Sequence, residues 1–67
     1  MLLKTIQKFE NDERLVILSY YEFDNTYIVS ILTKDYKSNS RIYKSGHYAL
    51  RKFSEFKCRP LKALGVK

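Results

Sequence analysis

One cysteine, one histidine, one proline and two glycines occur among 67 residues, and each scarcity excludes something. With Cys58 alone, no internal disulfide forms, and a free thiol fits a reducing cytoplasm. Cys58 and His47 have no companions at metal-ligand or nucleophile–base spacing, so no metal, cofactor or catalytic pair is expected. Ser45-Gly46 lacks the glycine-rich run and following Lys-Ser/Thr of a phosphate-binding loop. Glu10, Asp12, Glu13, Glu22 and Asp24 fall at turns or a hairpin end, in neither a calcium-loop nor a paired-carboxylate pattern. No enzyme and no small-molecule substrate is expected. The longest unbroken apolar run, 15–18, is far short of the ~20 residues that a membrane-spanning helix needs. Met1-Leu2-Leu3-Lys4 has no charged region leading into an apolar stretch, so neither a signal peptide nor a membrane partner is expected. A cytoplasmic protein is the expectation.

What is present is charge of one sign, unevenly placed. Residues 1–33 sum to −2 and residues 34–67 to +8, giving the net +6. A one-sided positive field favours polyanions: nucleic acid, an anionic surface or an acidic protein patch. Solubility alone is the competing explanation.

The chain is short enough for one domain, and it is organised around residues 14–34, RLVILSYYEFDNTYIVSILTK. β-Branched and aromatic residues suit a pleated, half-buried surface, and Asp24-Asn25 suits a two-residue hairpin turn. That turn sets Phe23 opposite Thr26, Tyr21 opposite Ile28, Ser19 opposite Ser30 and Ile17 opposite Leu32. One face then carries Val16, Leu18, Val29 and Ile31. The other carries Ile17, Ser19, Tyr21, Ile28, Ser30 and Leu32. Lys37-Ser38-Asn39-Ser40 reads as a second turn and residues 40–44 as a third strand. Centred on Ser38-Asn39, it pairs Tyr36 with Arg41 and Lys34 with Tyr43 on the serine-bearing face, leaving Ile42 and Lys44 on the aliphatic one. Residues 2–9 fit a two-turn helix or an edge strand blunted by Lys4 and Lys8, with the strand preferred.

Residues 47–58 read as an amphipathic helix capped by Ser45, with Ala49, Leu50, Phe53 and Phe56 on its apolar arc and Pro60 beyond its end. Phe53 and Phe56 are expected on the aliphatic face with Val16, Leu18, Val29, Ile31 and Ile42. Residues 59–67 form a basic tail whose Leu61, Leu64 and Val66 can reach the core. The fold class is α+β: a three- to four-stranded antiparallel meander followed by one C-terminal helix on one face.

One helix covers one face, so the other is the expected site. Lys34, Tyr36, Arg41 and Tyr43 group at its far end, with Tyr21 and Phe23 along the hairpin. Aromatic rings stack on unpaired bases and cations neutralise phosphate, and an antiparallel sheet also fits a duplex groove. Lys44, Arg51, Lys52 and Arg59 extend the basic surface, although cations late in a helix also complement its dipole. The competing occupants of the face are residues 2–9, a second copy burying Ile17, Tyr21 and Leu32, or a foreign protein anchored by Tyr and Arg.

In order of elements the chain resembles small DNA-binding domains, the integrase arm-type domains and the single-strand-binding coactivator fold among them. In size and in its Lys, Tyr, Ile and Asn content it resembles accessory proteins of phages and mobile elements from low-GC hosts. The resemblance implies a nucleic-acid binder (DNA or RNA) or, alternatively, an inhibitor of a host protein or defence complex.

Overall fold

The computed structural model describes residues 3–64. Leu2, Val66 and Lys67, which the sequence places at the chain start and in the basic tail, lie outside the described residues. Four antiparallel strands, β1 (Leu3–Glu10), β2 (Arg14–Tyr21), β3 (Thr26–Thr33) and β4 (Ser38–Tyr43), form one sheet in sequence order. The helix α1 (Gly46–Cys58) follows, then a 3-10 turn over Leu61–Leu64. None of the described helices is long and apolar enough to cross a membrane.

Residues 3–10 are an edge strand rather than a helix. As a strand they gain ladder bonds from β2; a two-turn helix with no cap has few of its own. A bulge between Thr5 and Gln7 interrupts the edge, which discourages further pairing.

The first hairpin keeps its expected faces with a different register. Tyr21 pairs with Thr26, so the loop is the four residues Glu22-Phe23-Asp24-Asn25, with Asn25 at φ 54°. Every pairing moves by two residues, and because strand alternation has period two, Val16, Leu18, Val29 and Ile31 stay on one side. Asn25 at the left-handed position accepts a 2.5 Å bond from the Tyr20 hydroxyl, which fixes the longer loop.

The second hairpin corrects the expected pairing. Its turn is Lys34-Asp35-Tyr36, ahead of the serine run, and β4 begins at Ser38. Tyr36 N–H donates to Thr33 C=O at 3.0 Å and Thr33 N–H to Lys37 C=O at 2.8 Å. Tyr36 takes φ 64°, the left-handed residue that closes a three-residue loop. The Thr33 hydroxyl locks the turn, donating to Asp35 Oδ1 at 2.5 Å and accepting from Lys37 N–H at 3.1 Å. The displacement from the expected register is odd, so β4 is flipped. Tyr43 pairs with Tyr27 and Arg41 with Val29 on the helix side, and Ile42 pairs with Ile28 on the open side, 68% exposed. Tyr36–Arg41 and Lys34–Tyr43 are not pairs, and Ile42 is not in the core.

The core is Val16, Leu18, Val29, Ile31, Ala49, Phe53, Phe56 and Leu64. Each large side chain buried there stabilises by about 1.5–3 kcal/mol. Leu50, assigned to the apolar arc by periodicity, is 44% exposed, and the buried residues of α1 are Ala49, Phe53 and Phe56. Ser45 Oγ accepts from Tyr48 N–H at 3.3 Å and caps α1. Gly46 sits where an added Cβ would lie 2.8 Å from Tyr27 Cζ, so any other residue there would push the end of the Tyr27 ring aside. At the other end, buried Arg14 donates to the carbonyls of Phe56 (2.9 Å) and Arg59 (2.5 Å) while its guanidinium pairs with Glu13. A cation there satisfies orphaned carbonyls and complements the negative end of the helix dipole.

Candidate functional site

The flip of β4 disperses the cluster expected on the open face and builds another on the helix side. Arg41 leaves the edge strand toward α1, and Tyr43 packs edge-on against Tyr48, their centroids 5.2 Å apart. Lys52 comes from the helix face above and Arg59 from the residue that ends α1. Asn39 Nδ2 donates to Leu64 C=O at 2.7 Å and ties the 3-10 turn to β4, which closes the remaining side. The result is a cleft of about 240 Å³ whose polar lining includes Arg41, Tyr43, Lys52, Glu55 and Arg59.

Glu55 organises two of the three cations. Its Oε1 lies 3.4 Å from Lys52 Nζ and 3.4 Å from Arg59 Nε. The hydrogen bond with Glu55 raises the Lys52 pKa, against a smaller opposing effect of burial, so the ammonium stays charged. Lys52 Nζ also lies 5.3 Å from the centre of the Tyr48 ring, a cation–π contact. Arg41 makes no ion pair among the described residues and is exposed. Three cations against one carboxylate leave a surplus of positive charge around the cleft.

The nine residues singled out from the sequence therefore divide. Arg41, Tyr43, Lys52 and Arg59 come together at this cleft. Arg51 and Lys44 are exposed, the one on α1 and the other just after β4, without lining it. Lys34 and Tyr36 stand in the β3–β4 turn, with Tyr36 88% exposed. Tyr21 lies on the open face, its ring stacked on Phe23 at 6.3 Å.

Sequence reasoning missed Glu55 and Asn39 as parts of the site. Glu55 carried a signal, since Lys52 and Arg59 stand at i−3 and i+4 from it on a helix and meet on one side. Asn39 carried none, because its partner is 25 residues away. Compared with known proteins, the chain matches no family model, no curated protein and no solved structure.

Proposed function

We propose that the protein is a non-enzymatic nucleic-acid-binding factor, a cytoplasmic accessory or regulatory protein of the phage or mobile-element kind. Arg41, Lys52 and Arg59 hold backbone phosphates, and Tyr43 and Tyr48 wall the same side. The observation that carries this reading is the convergence of three cations from β4, α1 and its C-cap on one cleft. Around it, residues 41–62 hold seven Lys/Arg against Glu55 alone. Phosphate contacts from such groups supply sequence-independent affinity through counterion release. Lys57 is less available for this role, since it lies over the Phe9 and Phe53 rings at 5.8 and 5.3 Å.

Fluorescence anisotropy with labelled single-stranded and duplex oligonucleotides of DNA and RNA tests the reading. Three phosphate contacts give a plot of log affinity against log salt with a slope of roughly −2 to −3. Arg41→Glu and Arg59→Glu each weaken binding without changing the circular dichroism spectrum. Glu55→Gln strengthens it, because the one competing carboxylate is gone. Absence of binding at low salt to all four probes would end the proposal. So would Glu55→Gln weakening affinity, since the ion pairs would then matter only as structure.

A further inference from the structure

The face of the sheet opposite α1 is uncovered among the described residues, and large apolar side chains are exposed on it. In the observed register it presents Leu3, Ile17, Tyr21, Ile28, Leu32 and Ile42. Leu3 is 43%, Leu32 39% and Ile42 68% exposed. An antiparallel sheet that faces water commonly alternates to polar side chains there; this one sets these apolar residues among Thr5, Thr26 and the serines of its strands. Its charge is also distinctive. Among the described strand residues on that face only Lys8 and Glu10 are charged, one of each sign, in a chain of net +6.

We infer that this face is the interface of a two-fold homodimer, packing sheet against sheet. With its strand charges balanced, the face offers a polyanion or an acidic protein little to neutralise, and it lets a second copy approach with the cations of the cleft on the far side. The polar atoms in its middle need little from water. Ser40 Oγ donates to Ser30 Oγ at 3.1 Å, and Ser19 is already buried within the monomer.

A two-fold contact sets the same features of both copies against each other. Leu3, Tyr21, Ile28 and Ile42, with Thr26 and the Asp24 carboxylate of the hairpin loop, line a mostly apolar groove of about 310 Å³, and Phe23 stands 73% exposed on the same loop. Each copy thus brings one groove and one ring. The two longer dimensions of the molecule, 31 and 22 Å, bound the face at roughly 700 Å². Two copies bury about 1,400 Å² at most, within the ~1,200–2,000 Å² of a specific interface.

Light scattering on the full chain, freed of nucleic acid by nuclease and high salt, tests this through a dilution series. The expected mass is twice the 8.0 kDa of the chain, falling toward 8.0 kDa on dilution. Added salt strengthens the dimer by screening repulsion between two +6 chains. Ile42→Glu, at a site exposed in the monomer, keeps the wild-type circular dichroism spectrum and weakens association roughly thirty-fold or more. Phe23→Ser, in a loop, does the same less strongly and covers the case in which Ile42→Glu fails to fold. A constant 8.0 kDa at every concentration overturns the inference, as does a dimer that both variants leave intact. Backbone amide shifts on this face that follow added oligonucleotide or acidic peptide, rather than protein concentration, assign it another occupant and overturn it equally.

Discussion

Val16, Leu18, Val29 and Ile31 on one side of the sheet are at most 1% exposed, whereas Leu32 and Ile42 on the other are 39% and 68% exposed. Both sets are β-branched or aliphatic, and both belong to the same sheet. What separates them is α1, which brings Phe53, Phe56 and Ala49 to the first side and, with its C-cap, two of the three cations of the cleft, Lys52 and Arg59. The covered side is therefore closed in its centre and positive at its margin. The open side mixes apolar residues with serines and threonines, and its two strand charges, Lys8 and Glu10, cancel. With phosphate at the cleft and a second copy on the open face, as proposed above, salt acts on the two with opposite signs.

The comparison breaks most visibly in the core. Phe53→Ala or Leu18→Ala removes a side chain that is 1–2% exposed, at a cost of about 2–5 kcal/mol. A domain of this length has about 3–10 kcal/mol in all, so either variant should be largely unfolded by circular dichroism. Ile42→Ala, made on the opposite face of the neighbouring strands, should leave the melting of a dilute monomer nearly unchanged. Equal losses on the two faces would show that the sheet has no preferred side.

Next in size is Arg14. Its guanidinium is buried and reaches two carbonyls at the end of α1, one of them on Arg59 of the cleft. Arg14→Met strands those acceptors and should cost about 2–4 kcal/mol in denaturant unfolding. Arg14→Lys should recover little of it, because an ammonium cannot reproduce the fork. Oligonucleotide affinity should fall with Arg14→Met even where the protein remains folded, because Arg59 loses its anchor.

How far the sequence revealed this arrangement follows from which errors were even and which odd. The first turn is two residues longer than Asp24-Asn25 suggests, and an even shift leaves every side chain on its face. The aliphatic core was therefore legible despite a wrong register. The second turn is displaced by an odd number, which turned Arg41, Tyr43 and Ile42 over together. The glycine that usually marks the left-handed position of such a turn is absent. Tyr36 stands there, and the serine-rich stretch after it imitated a loop. The basic residues of the site were readable from composition. Their convergence was not, because it depends on that one register and on the contact of Asn39 with Leu64.

Tyr36 itself supplies a smaller test. It holds φ 64° with its side chain 88% exposed, so it bears the strain of a left-handed backbone with little packing in return. Tyr36→Gly should stabilise the monomer by about 0.5–1 kcal/mol in thermal melts, as relief of strain outweighs glycine's entropy. Neither the mass of the dimer nor the salt slope should change, since the turn belongs to neither surface. A loss of oligonucleotide affinity with the gain in stability would move the binding surface out from the cleft to include this ring.

The weakest expected effect is a pH dependence in the same turn. The Thr33 hydroxyl, donating to Asp35, holds that carboxyl below its usual range, with Lys37 adding a lesser attraction against the small opposing cost of desolvation. A folded pKa below the unfolded one means that the folded state favours the charged form. The contribution is then fully present above the unfolded value near 3.8 and is lost as pH falls through the folded value. Asp35 is fully solvent-exposed, so the effect is small and confined to acid. Asp35→Asn should flatten that part of the stability curve below about pH 4 while leaving the neutral-pH melt almost unaltered. Thr33→Val should flatten it in the same way but also loosen the turn, because Lys37 N–H loses its acceptor. If the two variants gave identical acid profiles and identical neutral melts, the hydroxyl would be acting on the carboxylate alone. The register of β4, and with it the side on which Arg41 and Tyr43 lie, would then rest on the backbone bonds of Thr33 with Tyr36 and Lys37.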